Sequence, residues 1–217
     1  MSNINKTFEG KEVNCALFVS EKCAYFILLL FVMIAIPIVI SGVATYKRNF
    51  IWKGEITLWE DVVRKTPKKA MGYNNLGVAY KKAELLDKAL REYRKALKLQ
   101  PDYPEAHYNL ANIYNIKGHL QEAIDEYSKA LRLKPDYAEV YNNLGIVYGK
   151  KGWFDMAIEE FKRALVFEPH YIDARYNLAL TYKRMGRNNE ARKEFAEILK
   201  TRPDYDRAHI AIQSFPE

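Results

Sequence analysis

The sequence predicts an all-α protein, a solenoid of antiparallel helix pairs preceded by one transmembrane helix. Three observations carry that expectation. A 34-residue period runs from Ala70 to Tyr205, with Asn75, Asn109, Asn143 and Asn177 in one register and Leu76, Leu110, Leu144 and Leu178 one position later. Such a period marks a chain that grows along one axis by stacking similar units. The composition, 49% hydrophobic and 28% charged, is that of a structured protein. Finally, residues 24–45 contain no charged side chain at all.

Residues 1–23 set Lys6, Lys11 and Lys22 against Glu9, Glu12 and Glu21 without any lasting period, which reads as a short, loosely ordered tail. As a helix, Ala24 to Ala44 would reach about 31 Å at ~1.5 Å per residue, enough for a bilayer core of ~30 Å. Tyr25 on one side and Tyr46, Phe50 and Trp52 on the other would supply interfacial rings, and a membrane helix tolerates Pro37. A cleaved leader with Gly42 and Ala44 at its cleavage site is the rival reading, opposed by the long apolar core and the acidic residues before it. Lys6, Lys11 and Lys22 precede the segment, and Lys47, Arg48, Lys53, Arg64 and Lys65 follow it, a slight lean toward repeats in the cytoplasm. Cys15 and Cys23 lie outside the repeats and suggest neither a metal site nor a disulfide framework; palmitoylation of Cys23 is the sharper alternative.

Residues 46–69 form a juxtamembrane segment and a partial repeat, because Trp59, Val62 and Pro67 stand in register with Tyr93, Ala96 and Pro101. Four full repeats follow, at 70–103, 104–137, 138–171 and 172–205. In the second, a first helix is expected over about 103–117 and a second over about 120–133. Gly118, Gly152 and Gly186 stand where a left-handed residue ends a helix at least cost. Glu84 holds that position in the first repeat, which predicts a differently built, looser turn. Ala123 and Ala130 let the helices approach, and a large residue at Ala123 is expected to overpack the contact by ~1–3 kcal/mol. Residues 206–217 close the array with a short helix over 206–213 that exposes Arg207 and His209.

In the third repeat the recurring positions read Tyr141, Leu144, Gly145, Tyr148, Ala157, Phe161, Ala164 and Pro169. This pattern resembles the tetratricopeptide repeat, a 34-residue helix pair. The resemblance implies a right-handed superhelix whose first helices line a concave side, where the family commonly binds extended peptides. It marks Asn75, Asn109, Asn112, Asn143 and Asn177, with Lys81, Tyr108, Tyr176, Lys183 and Arg184, as candidate peptide-binding residues. The array of O-linked GlcNAc transferase carries an asparagine ladder similar in register to Asn75, Asn109, Asn143 and Asn177. An amide can pair with a peptide backbone without reading side chains; local packing explains the same asparagines, and both readings stand. The two-carboxylate clamp of chaperone-tail adaptors is not matched, because its places hold Asn74, Val78, Glu139 and Asn143. The stretch from Arg48 through Trp59 and Pro67 to Leu76 resembles the junction in transmembrane proteins that join a multi-pass sugar-transfer domain to such repeats. That likeness implies repeats on the periplasmic or lumenal side, but the catalytic part of those proteins has no counterpart here.

No enzyme constellation is present. His107, His119, His170 and His209 lack metal-ligand spacing, and His107 stands at a ring position and reads as packing. Asp125 with Glu126, and Glu159 with Glu160, read as solvated charge on outward faces. Neither a Gly-rich phosphate loop nor a Gly-x-Ser-x-Gly turn occurs. No cofactor, metal or small-molecule substrate is expected. The pI of about 9.2 invites nucleic acid, yet charges alternate along the helices and the two middle repeats are slightly acidic, so nucleic acid is not expected either. The expectation is a membrane-anchored scaffold for proteins or extended peptides. The alternative is an accessory or truncated form of a membrane glycosyltransferase that presents acceptor proteins, and a purely structural oligomeriser is a third reading.

Overall fold

The computed structural model describes Ile36 and residues 54–215. The tail expected at 1–23 lies outside these residues, as does the apolar segment 24–45 apart from Ile36. Among the described residues no helix is long and apolar enough to cross a membrane.

Residues 54–65 are helical (α1). Four hairpins follow: α2 (Ala70–Lys82) with α3 (Leu86–Leu99), α4 (Pro104–Ile116) with α5 (Leu120–Leu133), α6 (Ala138–Lys150) with α7 (Phe154–Phe167), and α8 (Ile172–Arg184) with α9 (Asn188–Thr201). The short α10 (Asp206–Gln213) ends the series. Each of α4, α6 and α8 is buried on two sides, against its own second helix and that of the preceding repeat. The second helices bury a single stripe, which is why their sequences are the more one-sided.

Tyr93, Tyr127, Phe161 and Phe195, one ring per repeat, form the spine of the core and are all at most 2% exposed. Gly77 and Gly145 make room for two of them, since a Cβ at those positions would lie 2.6 Å from the Tyr93 ring and 2.7 Å from the Phe161 ring. α1 covers the first hairpin with Ile56, Trp59 and Val63, and Tyr80 donates its hydroxyl hydrogen to Glu60 Oε1 at 2.7 Å.

The turn inside the first repeat is built like the others, contrary to expectation. Glu84 adopts φ +63°, beside +78°, +77° and +73° at Gly118, Gly152 and Gly186. The closing bond, in which the next amide donates to the carbonyl five residues back, is 2.9 Å in all four turns: Leu85 to Tyr80, His119 to Tyr114, Trp153 to Tyr148 and Arg187 to Tyr182. The hairpin needs that geometry whatever residue is present, so Glu84 bears the left-handed strain, roughly 1–2 kcal/mol.

Consecutive first helices also touch, α2 with α4, α4 with α6 and α6 with α8, whereas no second helix packs comparably on the next. Helices drawn closer on one side than on the other make the first-helix face the inner, concave one.

Candidate functional site: the inner face

Three of the asparagines in the Asn75 register knit the repeats together, whereas Asn75 only accepts a bond from its neighbour Asn74 at 3.4 Å. Asn109 Nδ2 donates to Asn74 Oδ1 at 3.0 Å, and Asn177 Nδ2 to Asn142 Oδ1 at 2.9 Å. Between them, Asn143 Nδ2 donates to Asn112 Oδ1 at 2.9 Å and to the Tyr108 hydroxyl at 3.2 Å. Asn112 is buried and also accepts the Tyr127 hydroxyl at 2.5 Å. These amide hydrogens therefore serve contacts between repeats, while the Oδ1 atoms of Asn109 and Asn177 accept no bond among the described residues.

The remaining predicted residues sort into a ring row and a basic row. Tyr108 and Tyr176 occupy the register that Asn74 and Asn142 hold in the other two repeats. Tyr108 packs beside Tyr137 with ring centroids 5.3 Å apart, and Tyr176 beside Tyr205 at 5.9 Å. At the C-terminal ends of the first helices, Lys183 Nζ donates to Ser214 Oγ at 2.6 Å and Lys150 Nζ to Asn115 Oδ1 at 2.6 Å. Lys81 and Arg184 have no hydrogen bond or ion pair among the described residues, and partial burial lowers the pKa of Lys81. At the opposite ends, Glu105, Glu139 and Asp173 likewise have no ion pair among the described residues. Burial first, then Tyr108 and the nearby acids, push the Tyr137 and Tyr171 phenols up to about 12.

Two outward acids of the sequence reading are corrected. Asp125 and Glu159 are exposed, but Glu126 and Glu160 turn inward. They belong to a column, Glu92, Glu126, Glu160 and Glu194, in which each acid stands 19 residues after a first-helix residue that reaches a proline carbonyl. Tyr73, His107, Tyr141 and Arg175 make that reach, to Pro67, Pro101, Pro135 and Pro169 at 2.8–3.1 Å. His107 Nδ1 also meets Glu126 Oε2 at 2.5 Å, and Arg175 Nη1 donates to Glu194 Oε2 at 2.9 Å. Tyrosine has a single donor, so Tyr141 leaves Glu160 with only Arg163 at 3.4 Å, and its Oε2 is buried without a partner. Burial accordingly raises the pKa of Glu160. At Glu126 burial acts the same way but is outweighed by hydrogen bonds from His107 and Lys129, which leave it lowered. The 34-residue repetition of Glu was visible in the sequence, but its direction was not.

An open inner face on stacked hairpins defines a helical-repeat module. Family models agree: residues 86–115 and 111–152 match one described as TPR repeat, and 150–214 match one described as tetratricopeptide repeat. The chain belongs to the tetratricopeptide repeat family. Among solved structures it is similar to MamA, at 27% identity over 75% of this chain and 95% of that one with a TM-score of 0.66. It is also similar to TTC0263, a thermophilic TPR protein of Thermus thermophilus, at 26% identity over 80% and 94% with a TM-score of 0.62. Likeness to PilF of Pseudomonas aeruginosa, 24% identical over 66% and 65% with a TM-score of 0.61, concerns the fold alone. Comparison with curated protein sequences yields no significant match.

Proposed function

We propose that the chain is a membrane-anchored scaffold that holds extended protein segments on its inner face. The observation that carries this reading is a concave row of side chains: Tyr108 and Tyr176 along the middle, packed on neighbouring rings yet only half-buried, and Lys81 and Arg184 without partners among the described residues at one edge. Lys183 and the oxygens of Asn109 and Asn177, which accept no bond among the described residues, add polar contacts, with Asn112 and Asn143 holding the surface in shape. Support for the anchor comes from the uncharged stretch 24–45, which would raise the local concentration of partners at the same membrane. The resemblance of the 48–76 stretch to a glycosyltransferase junction keeps the accessory reading as the second one, favoured if a multi-pass sugar transferase co-purifies.

Photo-crosslinking residues placed at Asn115, Ile146 and Leu180 on the inner face, and at Lys98, Arg132 and Val166 on the outer one, test the scaffold reading. Partner adducts are expected from the inner set, and adducts confined to the outer set overturn it. A reporter fused after Glu217 tests the membrane side, and periplasmic or lumenal activity reverses the cytoplasmic lean of the flanking Lys and Arg.

A further inference from the structure

We infer that the inner face receives a cationic side chain, an arginine or lysine of the bound segment, on the Tyr108 ring beside Glu105 and Glu139. This inference names the partner chemistry of the inner face and so rests on the scaffold reading.

The chain contains its own occupied counterpart of the site. In the fourth repeat, Tyr176 packs beside Tyr205, Arg202 lies 5.7 Å from the Tyr205 centroid, and Arg207 lies 4.4 Å from the Tyr176 centroid. Two repeats earlier the equivalent rings pair again, Tyr108 beside Tyr137 at an interplanar angle of 40° rather than 73°, with Lys134 4.4 Å from the Tyr137 centroid. In the register of Arg207, however, stands Glu139. Among the described residues no cation covers the Tyr108 ring.

Charge agrees with that geometry. Glu105, Glu139 and Asp173 follow Tyr103, Tyr137 and Tyr171 by two residues, forming an acidic edge along three successive repeats, and none has an ion pair among the described residues. Glu105 and Glu139 both act on Tyr137, while Glu139 and Asp173 both act on Tyr171, which also feels Tyr108, so these groups share one neighbourhood. A first-turn acid suits the positive end of a helix, but α2 forms with no acid in its first turn, so helix formation does not demand the acid. The face of an aromatic ring attracts a cation, and carboxylates beside it strengthen the attraction. The basic edge of Lys81, Lys150, Lys183 and Arg184 lies at the other end of the first helices, about 15 Å away at ~1.5 Å per residue. That exceeds the screening length of ~8 Å at physiological salt, so the two edges act separately and the bound segment's cations belong on the acidic one.

The test uses the full chain and fluorescein-labelled Gly-Ser peptides about nine residues long, carrying Arg or Glu at alternate positions, read by fluorescence anisotropy. The Arg peptide is expected to bind at least about tenfold more tightly than the Glu peptide and to weaken with salt. Glu139→Arg, which lays a cation of the chain over Tyr108 as Arg207 lies over Tyr176, should lower Arg-peptide affinity about tenfold; Glu139→Gln should lower it a few-fold. Arg207→Glu should raise it, because Tyr176 is then uncovered. Equal or tighter binding of the Glu peptide, unchanged affinity in Glu139→Arg, or no binding of either peptide overturns the inference. If any of these occurs while inner-face crosslinks still form, the scaffold reading stands without it; if those crosslinks are absent as well, both fail.

Discussion

The first and third repeats differ from the second and fourth in a consistent way, so the array has a 68-residue unit inside its 34-residue period. Repeats one and three place Asn74 and Asn142 on the inner face, Gly77 and Gly145 against the core ring, and Tyr73 and Tyr141 over the proline turn. The other two use Tyr108 and Tyr176, Ala111 and Ala179, and His107 and Arg175 at the same places. A bulky inner residue thus alternates with a small one, and a first-helix residue that reaches both the proline carbonyl and the glutamate alternates with one that reaches the carbonyl alone. Equivalence of position therefore does not mean equivalence of environment: one backbone register supports two polar arrangements and two shapes of inner surface.

The largest expected effect comes from the glycine/alanine alternation. Gly145→Ala should destabilise the array by about 1–3 kcal/mol, because the new Cβ would lie 2.7 Å from the Phe161 ring. Ala111→Gly, at the equivalent position, should cost only about 1 kcal/mol through helix propensity. Denaturant unfolding combined with hydrogen exchange localises each effect to its repeat, as a stacked array requires. Equal costs would mean that the two ring environments are interchangeable.

Glutamates 126 and 160 should respond with opposite signs. At pH 7, Glu126→Gln is expected to destabilise and Glu160→Gln to stabilise, each by about 1–2 kcal/mol. Glu126 has a lowered pKa, so its contribution is present above its unfolded value and is lost as pH falls through the folded one. The raised pKa of Glu160 makes its ionised form the costly one, so the gain from Glu160→Gln should fade as pH drops toward about 4.5. Thermal melts from pH 7 to pH 4 check both, and parallel pH curves would erase the distinction between them.

A smaller contrast concerns the ring hydroxyls. Tyr93 Oη is buried with no partner, because Val78 stands where Asn112 receives Tyr127. Tyr93→Phe should be neutral or stabilising by up to about 1 kcal/mol, whereas Tyr127→Phe should cost about 1 kcal/mol. Smallest of all, Glu84→Gly should stabilise the first hairpin by roughly 0.5–1 kcal/mol by relieving a left-handed backbone. No change in the protection of α2 and α3 amides would mean that the turn carries no strain.

Much of the fold was legible because packing in a repeat is periodic. The rings from Tyr93 to Phe195, the turn glycines and the closing helix with exposed Arg207 all lie where the period places them. Legibility failed where a side chain's surroundings come from a distant part of the chain. Glu126 and Glu160 looked outward because a helical wheel shows only its own helix, whereas the surroundings that bury them come from the first helix of the repeat, where His107, the partner of Glu126, lies 19 residues earlier. Glu84 suggested a different turn because a residue type states a preference, and the hairpin overrides it. The asparagine register was found, but its partners 31–35 residues away were not.

By itself the sequence determined the helix pairs, their number and order, and which face each pair buries, since these follow from spacing along one chain. Tertiary structure alone decided which polar groups are spent on holding repeats together and which are left for a partner. Hydrogen bonds and ring contacts between repeats depend on angles and distances of a few ångströms between elements, and a 34-residue period does not encode them. That division makes Asn143 largely structural and leaves the Tyr108 ring half-buried on the inner face, with no cation over it among the described residues.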